Sequence, residues 1–316
     1  LSETERGTFE VFTAGTGDPV CVTHLYSAFN ERGNYFADTL TEAFEVYLVN
    51  LKGAGNSEPV KDEQDMSMES GVRDLEAVRK SLGLSRWAFA GHSTGGMLGL
   101  VYAIVHPESL TKLLAGGAAA SNEYMKHEGS MYSPASPLNK RVLACLKVLQ
   151  STESTTDERK AAGREWTEMS LYAPENYDQY FSQPSSGSVV KERLDYYSFK
   201  ELPDFDLRDS LKKVQIPAWI YCGRHDTQCP HVFSEEIAAL IPGARLITFE
   251  KSNHSPFLEE KELFCDMVNS FREKVRTETI TNENIHGGEP HEYRNLSNRH
   301  HSRRSGGEPA GHERAL

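Results

Sequence analysis

The run Trp87-Ala88-Phe89-Ala90-Gly91-His92-Ser93-Thr94-Gly95-Gly96 decides the fold. Its first four residues read as a short buried strand, and Met97 to His106 reads as a helix. Between them, glycines on either side of Ser93 permit a reversal too tight for residues that carry a Cβ. A strand that turns into a helix within a few residues lifts the central side chain out of the sheet. Here that side chain is a serine in the pattern G-x-S-x-G, set where unpaired N–H groups and the helix dipole favour developing negative charge. Ordinary glycine-rich turns also contain such five-residue patterns; the strand before and the helix after make this one specific.

Working outward, the same alternation recurs. Pro19-Val20-Cys21-Val22-Thr23, Phe44 to Val49, Ala218 to Cys222 and Ala244 to Phe249 are strand-like, while Ser67 to Leu82 repeats Val72, Leu75, Val78 and Leu82 at helical spacing and stops at Gly83. Helical runs also cover Ser234 to Leu240 and Lys261 to Lys274. Strands alternating with helices predict an α/β fold with a mostly parallel central sheet flanked by helices. From about 118 to 206 the alternation lapses into polar, helix-forming sequence such as Asp157 to Leu171, which reads as an inserted helical cap. The core is then expected from 1–117 and 207–276. The aliphatic-poor stretch 277–316, with His300-His301-Ser302-Arg303-Arg304, reads as a disordered, solvated tail.

A serine hydroxyl is a poor nucleophile near neutral pH and needs a base within hydrogen-bond reach and a carboxylate to orient that base. Asp226, in Gly223-Arg224-His225-Asp226, follows the strand ending at Cys222; His254, in Ser252-Asn253-His254-Ser255, follows the strand ending near Phe249. The alternatives fit less well. Asp204 and Asp206 close the cap region, His225 adjoins the candidate acid, His231 follows Cys229-Pro230, and His92 is expected to pack within the turn. The expected catalytic set is Ser93, Asp226 and His254, in an order, Ser then Asp then His, that places each after a strand.

With these residues in place the chain, from Gly7 to Phe271, resembles the α/β-hydrolase superfamily, in particular its cap-bearing branch of prolyl aminopeptidase-like hydrolases. Asn50-Leu51-Lys52-Gly53-Ala54-Gly55-Asn56-Ser57 is similar to the family's D-x-R-G-x-G-x-S segment, with Asn50 and Lys52 replacing the Asp and Arg. The resemblance implies an oxyanion hole formed by the backbone N–H groups of Thr94 and Tyr26. At that loop relatives carry His-Gly, whereas this chain has His24-Leu25-Tyr26-Ser27, so a glycine is replaced and His24 becomes a candidate for shaping the substrate side. In the cap, Trp166 with Glu165 and Glu168 is similar to the arrangement by which prolyl aminopeptidases receive a free amino terminus. The other reading is an exposed glutamate pair on an amphipathic helix, with Trp166 packing the cap onto the core.

Composition narrows the partners. A formal net charge of -12 repels nucleic-acid phosphate and anionic lipid, leaving a small-molecule or short-peptide substrate. Five scattered cysteines show no metal-ligand spacing and read as reduced thiols, no apolar run is long enough to span a bilayer, and the polar start is unlike a signal sequence. A cytoplasmic enzyme needing no metal or organic cofactor is expected; oligomeric state leaves no mark. The function that follows is a serine hydrolase acting on a small carboxylic ester or related acyl substrate through an acyl-enzyme. A prolyl aminopeptidase-like peptidase is the alternative within the same chemistry, and a non-hydrolytic ligand receptor on the same fold is the alternative outside it.

Overall fold

In the computed structural model, which describes residues 1–273 and the pair Arg294–Asn295, seven strands form one sheet: β1 (Val11–Ala14), β2 (Pro19–Val22), β3 (Glu45–Val49), β4 (Trp87–His92), β5 (Leu110–Gly116), β6 (Ala218–Gly223) and β7 (Arg245–Phe249). Their spatial order is β7-β6-β5-β4-β2-β3-β1, parallel throughout except for β1, which runs antiparallel to β3. Arg294–Asn295 adds an antiparallel edge pair beside β1. The rest of the 277–316 stretch, including the histidine and arginine cluster read as a solvated tail, lies outside the described residues.

Helices cover both faces, which is why the central strands are apolar along their length instead of alternating. Residues 87–91 of β4 are all buried. On one face pack α1 (Met68–Ser81), α2 (Thr94–Val105) and α5 (His231–Leu240), through Val72, Leu75, Leu98, Leu100 and Ile237. On the other, α6 (Lys261–Arg272) delivers Phe264, Met267, Val268 and Phe271 onto Phe36, Phe44 and Tyr221. Local chemistry sets the ends: the Ser67 side chain accepts from the Ser70 N–H at the start of α1, and Gly83 adopts φ 72° just beyond its end.

Residues between β5 and β6 give no strand to this sheet. Helices α3 (Asn139–Gln150) and α4 (Thr156–Glu168) pair around a small core of Met131, Val142, Cys145, Ala162 and Met169, followed by shorter helical turns. The insertion is closed at its root by the Leu207 N–H to Ala120 O bond (2.7 Å) and the Asn122 N–H to Phe205 O bond (2.9 Å). It also contains a strand that its sequence did not announce. Ser188–Val189 pairs antiparallel with Ser27–Ala28, stitching the insertion to the loop after β2.

The chain passes from β3 across β2 to β4, so the loops leaving β2 and β4 diverge at the carboxyl end of the sheet. That divergence opens a crevice where ligands bind in open α/β sheets.

Candidate active site

Ser93 occupies the turn between β4 and α2 with φ 55° and ψ −126°, and among the described residues it is the one non-glycine with positive φ. Such a conformation costs about 1–3 kcal/mol and persists only where surroundings enforce it. They do so here. The Ser93 N–H donates to Gly116 O at 2.8 Å, the Met97 N–H donates to Ser93 O at 3.0 Å, and the turn is too crowded for larger neighbours. A Cβ on Gly91 would lie 2.2 Å from Gly95 O, and one on Gly95 would lie 2.6 Å from Thr23 O.

Asp226 and His254 leave the ends of β6 and β7 and meet: His254 Nδ1 lies 2.8 Å from Asp226 Oδ2, with both side chains buried. The other carboxylate oxygen accepts the Gln228 and Cys229 N–H groups at 2.9 and 2.8 Å. Those donors hold the carboxylate as an acceptor, so Nδ1 carries the proton and Nε2 keeps its lone pair. His254 and Ser93 line the same cavity. The Thr227 N–H bonded to Asn253 Oδ1 (2.8 Å) ties the two loops together, and the His254 N–H donates to Ser170 O (3.1 Å) in the insertion.

Near His254 lies a neutral imidazole. Burial, helped by the nearby His254 and Arg193, pulls His24 down to about 3. Uncharged, it can donate from one ring nitrogen and accept at the other, matching Thr94 Oγ1 at 2.8 Å from Nε2 and Ser27 Oγ at 2.9 Å from Nδ1. His92 is likewise held well below the usual histidine range, chiefly by burial; its Nδ1 is 2.9 Å from the Tyr221 hydroxyl, and its ring packs 4.6 Å from that of His254. The Thr94 N–H, at the first position of α2, has no intrahelical acceptor. Leu25 explains the missing glycine in the neighbouring loop: its side chain is fully buried in the main core instead of projecting toward the cavity.

The cavity measures about 1100 Å³ between the sheet end and the insertion. Its walls are largely aromatic: Tyr26, Phe36, Tyr124, Tyr132, Trp166 and Tyr197. The Tyr124 and Tyr197 hydroxyls lie 3.2 Å apart, and the Tyr132 hydroxyl donates to Gln228 Oε1 at 2.8 Å. Gln228 Nε2 in turn donates to Ser170 Oγ at 3.0 Å. Among the described residues, the charged side chains on the lining are Arg32, which is exposed, and Asp195, which is paired with Lys191.

A family model described as the alpha/beta hydrolase fold matches residues 24–261. The chain belongs to the alpha/beta hydrolase fold family. A solved alpha/beta fold family hydrolase from Bacillus anthracis str. Sterne is 49% identical, covering 85% of this chain and 96% of that one, with a TM-score of 0.83. An esterase from Exiguobacterium antarcticum is 26% identical with a TM-score of 0.63, covering 85% of this chain and 97% of its own. A proline iminopeptidase of Saccharolobus solfataricus is 24% identical over 251 residues, 76% of this chain and 79% of the relative. These relatives place the chain, as a hydrolase, in the prolyl aminopeptidase-like branch.

Within this alpha/beta hydrolase, the residues anticipated for the substrate side part company. His24, Tyr26 and Trp166 line the cavity; Glu165 and Glu168 do not. Glu165 is paired with Arg141 (2.9 Å) and Glu168 with Arg164 (2.7 Å), on partly exposed helix faces outside the cavity lining. Lys52 retains an ion pair despite replacing the family arginine, with Nζ 2.9 Å from Asp65 Oδ1. Asn50, fully buried, bonds Glu10 and the backbone of Phe29, a structural task. Sequence reading missed Tyr124, Tyr132, Tyr197 and Gln228, because tyrosines scattered through a polar segment carry no periodic signal. Among the described residues, no group of three or more His, Cys, Asp or Glu could hold a metal ion, and no helix is long and apolar enough to cross a membrane.

Proposed function

We propose that this hydrolase cleaves neutral carboxylic esters by acyl transfer through Ser93, with His254 as base and Asp226 as its orienting carboxylate. The observation that carries the reading is the 2.8 Å Asp226–His254 bond beside a serine held at φ 55° on the wall of the same cavity. His254 Nε2 takes the Ser93 proton as the oxygen attacks the ester carbonyl, and Asp226 stabilises the imidazolium. The negative charge collects on the former carbonyl oxygen, facing the Thr94 and Tyr26 N–H groups. Collapse expels the alcohol, which recovers its proton from His254. Water, deprotonated by the same histidine, then releases the acid and regenerates Ser93. No step requires a metal or an organic cofactor.

The insertion 118–206 acts as the cap that selects the substrate. An aromatic lining without an unpaired carboxylate favours an uncharged acyl or aryl group over the ammonium of a peptide N-terminus. The names of relatives favour the second reading, a proline iminopeptidase-like peptidase. Five free cysteines suit a reducing compartment, consistent with the cytoplasm.

A panel of p-nitrophenyl esters run beside proline p-nitroanilide separates the two readings. Ester kcat/KM should exceed that for the anilide by about 100-fold or more, the span that an unmatched ammonium in a dry site imposes. A preference for the anilide would replace the esterase reading with the peptidase one. Binding of ligands without turnover of either would favour a receptor.

A further inference from the structure

Arg193 is the most unusual charge in the molecule. It stands on a short helix of the insertion, Lys191–Tyr196, is 1% exposed, and forms no ion pair among the described residues. Its guanidinium donates instead to three main-chain carbonyls from three separate segments: Leu25 O at 2.5 Å, Lys52 O at 3.0 Å and, at the end of a short helical turn, Met66 O at 3.3 Å. Burying a guanidinium with no carboxylate in direct contact is costly, even with the charges of Asp74, Glu201 and Asp65 acting from further off, and a hydrophobic side chain would hold the insertion more cheaply.

The Leu25–Tyr26 peptide is planar and trans, so its C=O and N–H point in opposite directions. With the carbonyl bonded to Arg193, the Tyr26 N–H is directed away from the guanidinium. Tyr26 lines the cavity, Leu25 does not, and the Tyr26 N–H has no hydrogen-bond acceptor among the described residues. The next peptide is held from the same side: the Val190 N–H donates to Tyr26 O at 2.8 Å, three residues before Arg193. Both peptide planes flanking Tyr26 are therefore set by the insertion. A cation on a carbonyl also polarises the amide, which strengthens its N–H as a donor.

We propose that Arg193 is the positioning residue that aims and polarises the Tyr26 N–H as an oxyanion donor, an inference that rests on the acyl-transfer reading above. It makes half of the oxyanion hole depend on the insertion being seated, and it replaces the glycine that relatives place in this loop with an anchor from outside it. Leu25 can then point its side chain into the core while its carbonyl is held from the insertion.

The test compares Arg193→Met and Arg193→Lys with the wild type, using a p-nitrophenyl ester and phenylboronate, whose tetrahedral adduct with a serine puts an oxygen where the oxyanion forms. Losing an aimed donor should lower kcat by roughly 10- to 100-fold while KM stays within about threefold, part of the loss seen when a whole oxyanion donor is removed. Phenylboronate affinity should fall by the same factor as kcat/KM, with Arg193→Lys between the other two. A residue that merely held the insertion would change KM and stability without this matched loss. Should Arg193→Met fail to fold, Arg193→Lys, which keeps the charge and most of the packing, decides alone. Unchanged boronate affinity and kcat in a folded variant would overturn the inference. A wild-type protein that neither hydrolyses the ester nor reacts with a fluorophosphonate would instead overturn the acyl-transfer reading, and the inference with it.

Discussion

The carboxyl end of the sheet and the insertion above it hold their side chains by different means. Ser93, Asp226 and His254 each stand a few residues beyond a buried strand, so the backbone ladder fixes where they emerge. Tyr132, Trp166 and Arg193 come from a segment with a small core of its own, joined to the sheet domain by a two-residue strand, a few main-chain bonds and individual side-chain anchors. Position is secured by a continuous backbone ladder in one region and by sparse main-chain ties with side-chain anchors in the other. Changes in the first should therefore act on the chemical step and changes in the second on what is bound, except at Arg193, whose bond to Leu25 O reaches into the oxyanion loop.

The sharpest break between the two regions should come at the acid. Asp226→Asn preserves shape but lets His254 hold its proton on the wrong nitrogen, and steady-state kinetics should show kcat falling by roughly 10³- to 10⁴-fold with KM little changed. On the insertion side, Trp166→Ala should raise KM for aryl esters by about 3- to 10-fold while kcat stays within about twofold, because it removes contact area that serves ground and transition states alike. A large loss of kcat there would erase the distinction.

A third outcome concerns stability. His24 is held neutral in the folded chain down to about 3, whereas the unfolded chain takes up a proton below its ordinary value of 6.5. Its burial thus contributes fully above pH 6.5, and that contribution is lost as pH falls from 6.5 toward 3. His24→Gln should flatten the decline in unfolding free energy over that window by about 1.4 kcal/mol per pH unit, measured by urea titration at several pH values. The smallest effect belongs to Glu165→Gln and Glu168→Gln. Each removes an exposed ion pair worth about 0–1 kcal/mol, so ester and anilide turnover should both stay within about twofold of wild type.

The same division explains what the sequence made legible. The alternation of apolar runs and amphipathic helices is a local signal repeated many times, and it led to the α/β architecture directly. The loop positions of Asp226 and His254 follow from their strands, which is why the sequence alone pairs two residues 28 positions apart that meet at 2.8 Å. Arg193 could not be found that way. Nothing local marks an arginine whose partners are carbonyls at Leu25, Lys52 and Met66, more than 120 residues away in the chain. The glutamate pair beside Trp166 carried a signal of the opposite kind: Arg164 lies four residues before Glu168, the spacing of a solvated ion pair, and Arg141 meets Glu165 from the neighbouring helix. The strand at Ser188–Val189 is too short for any pattern to announce it.

The central claim is that Ser93 becomes covalently acylated, and intact-protein mass spectrometry after treatment with a fluorophosphonate reads this most directly. The account predicts a single added phosphonyl group on the wild-type chain, located by peptide mapping at Ser93, and none on Ser93→Ala. Equal labelling of the two proteins, or a label on a different residue, would contradict it.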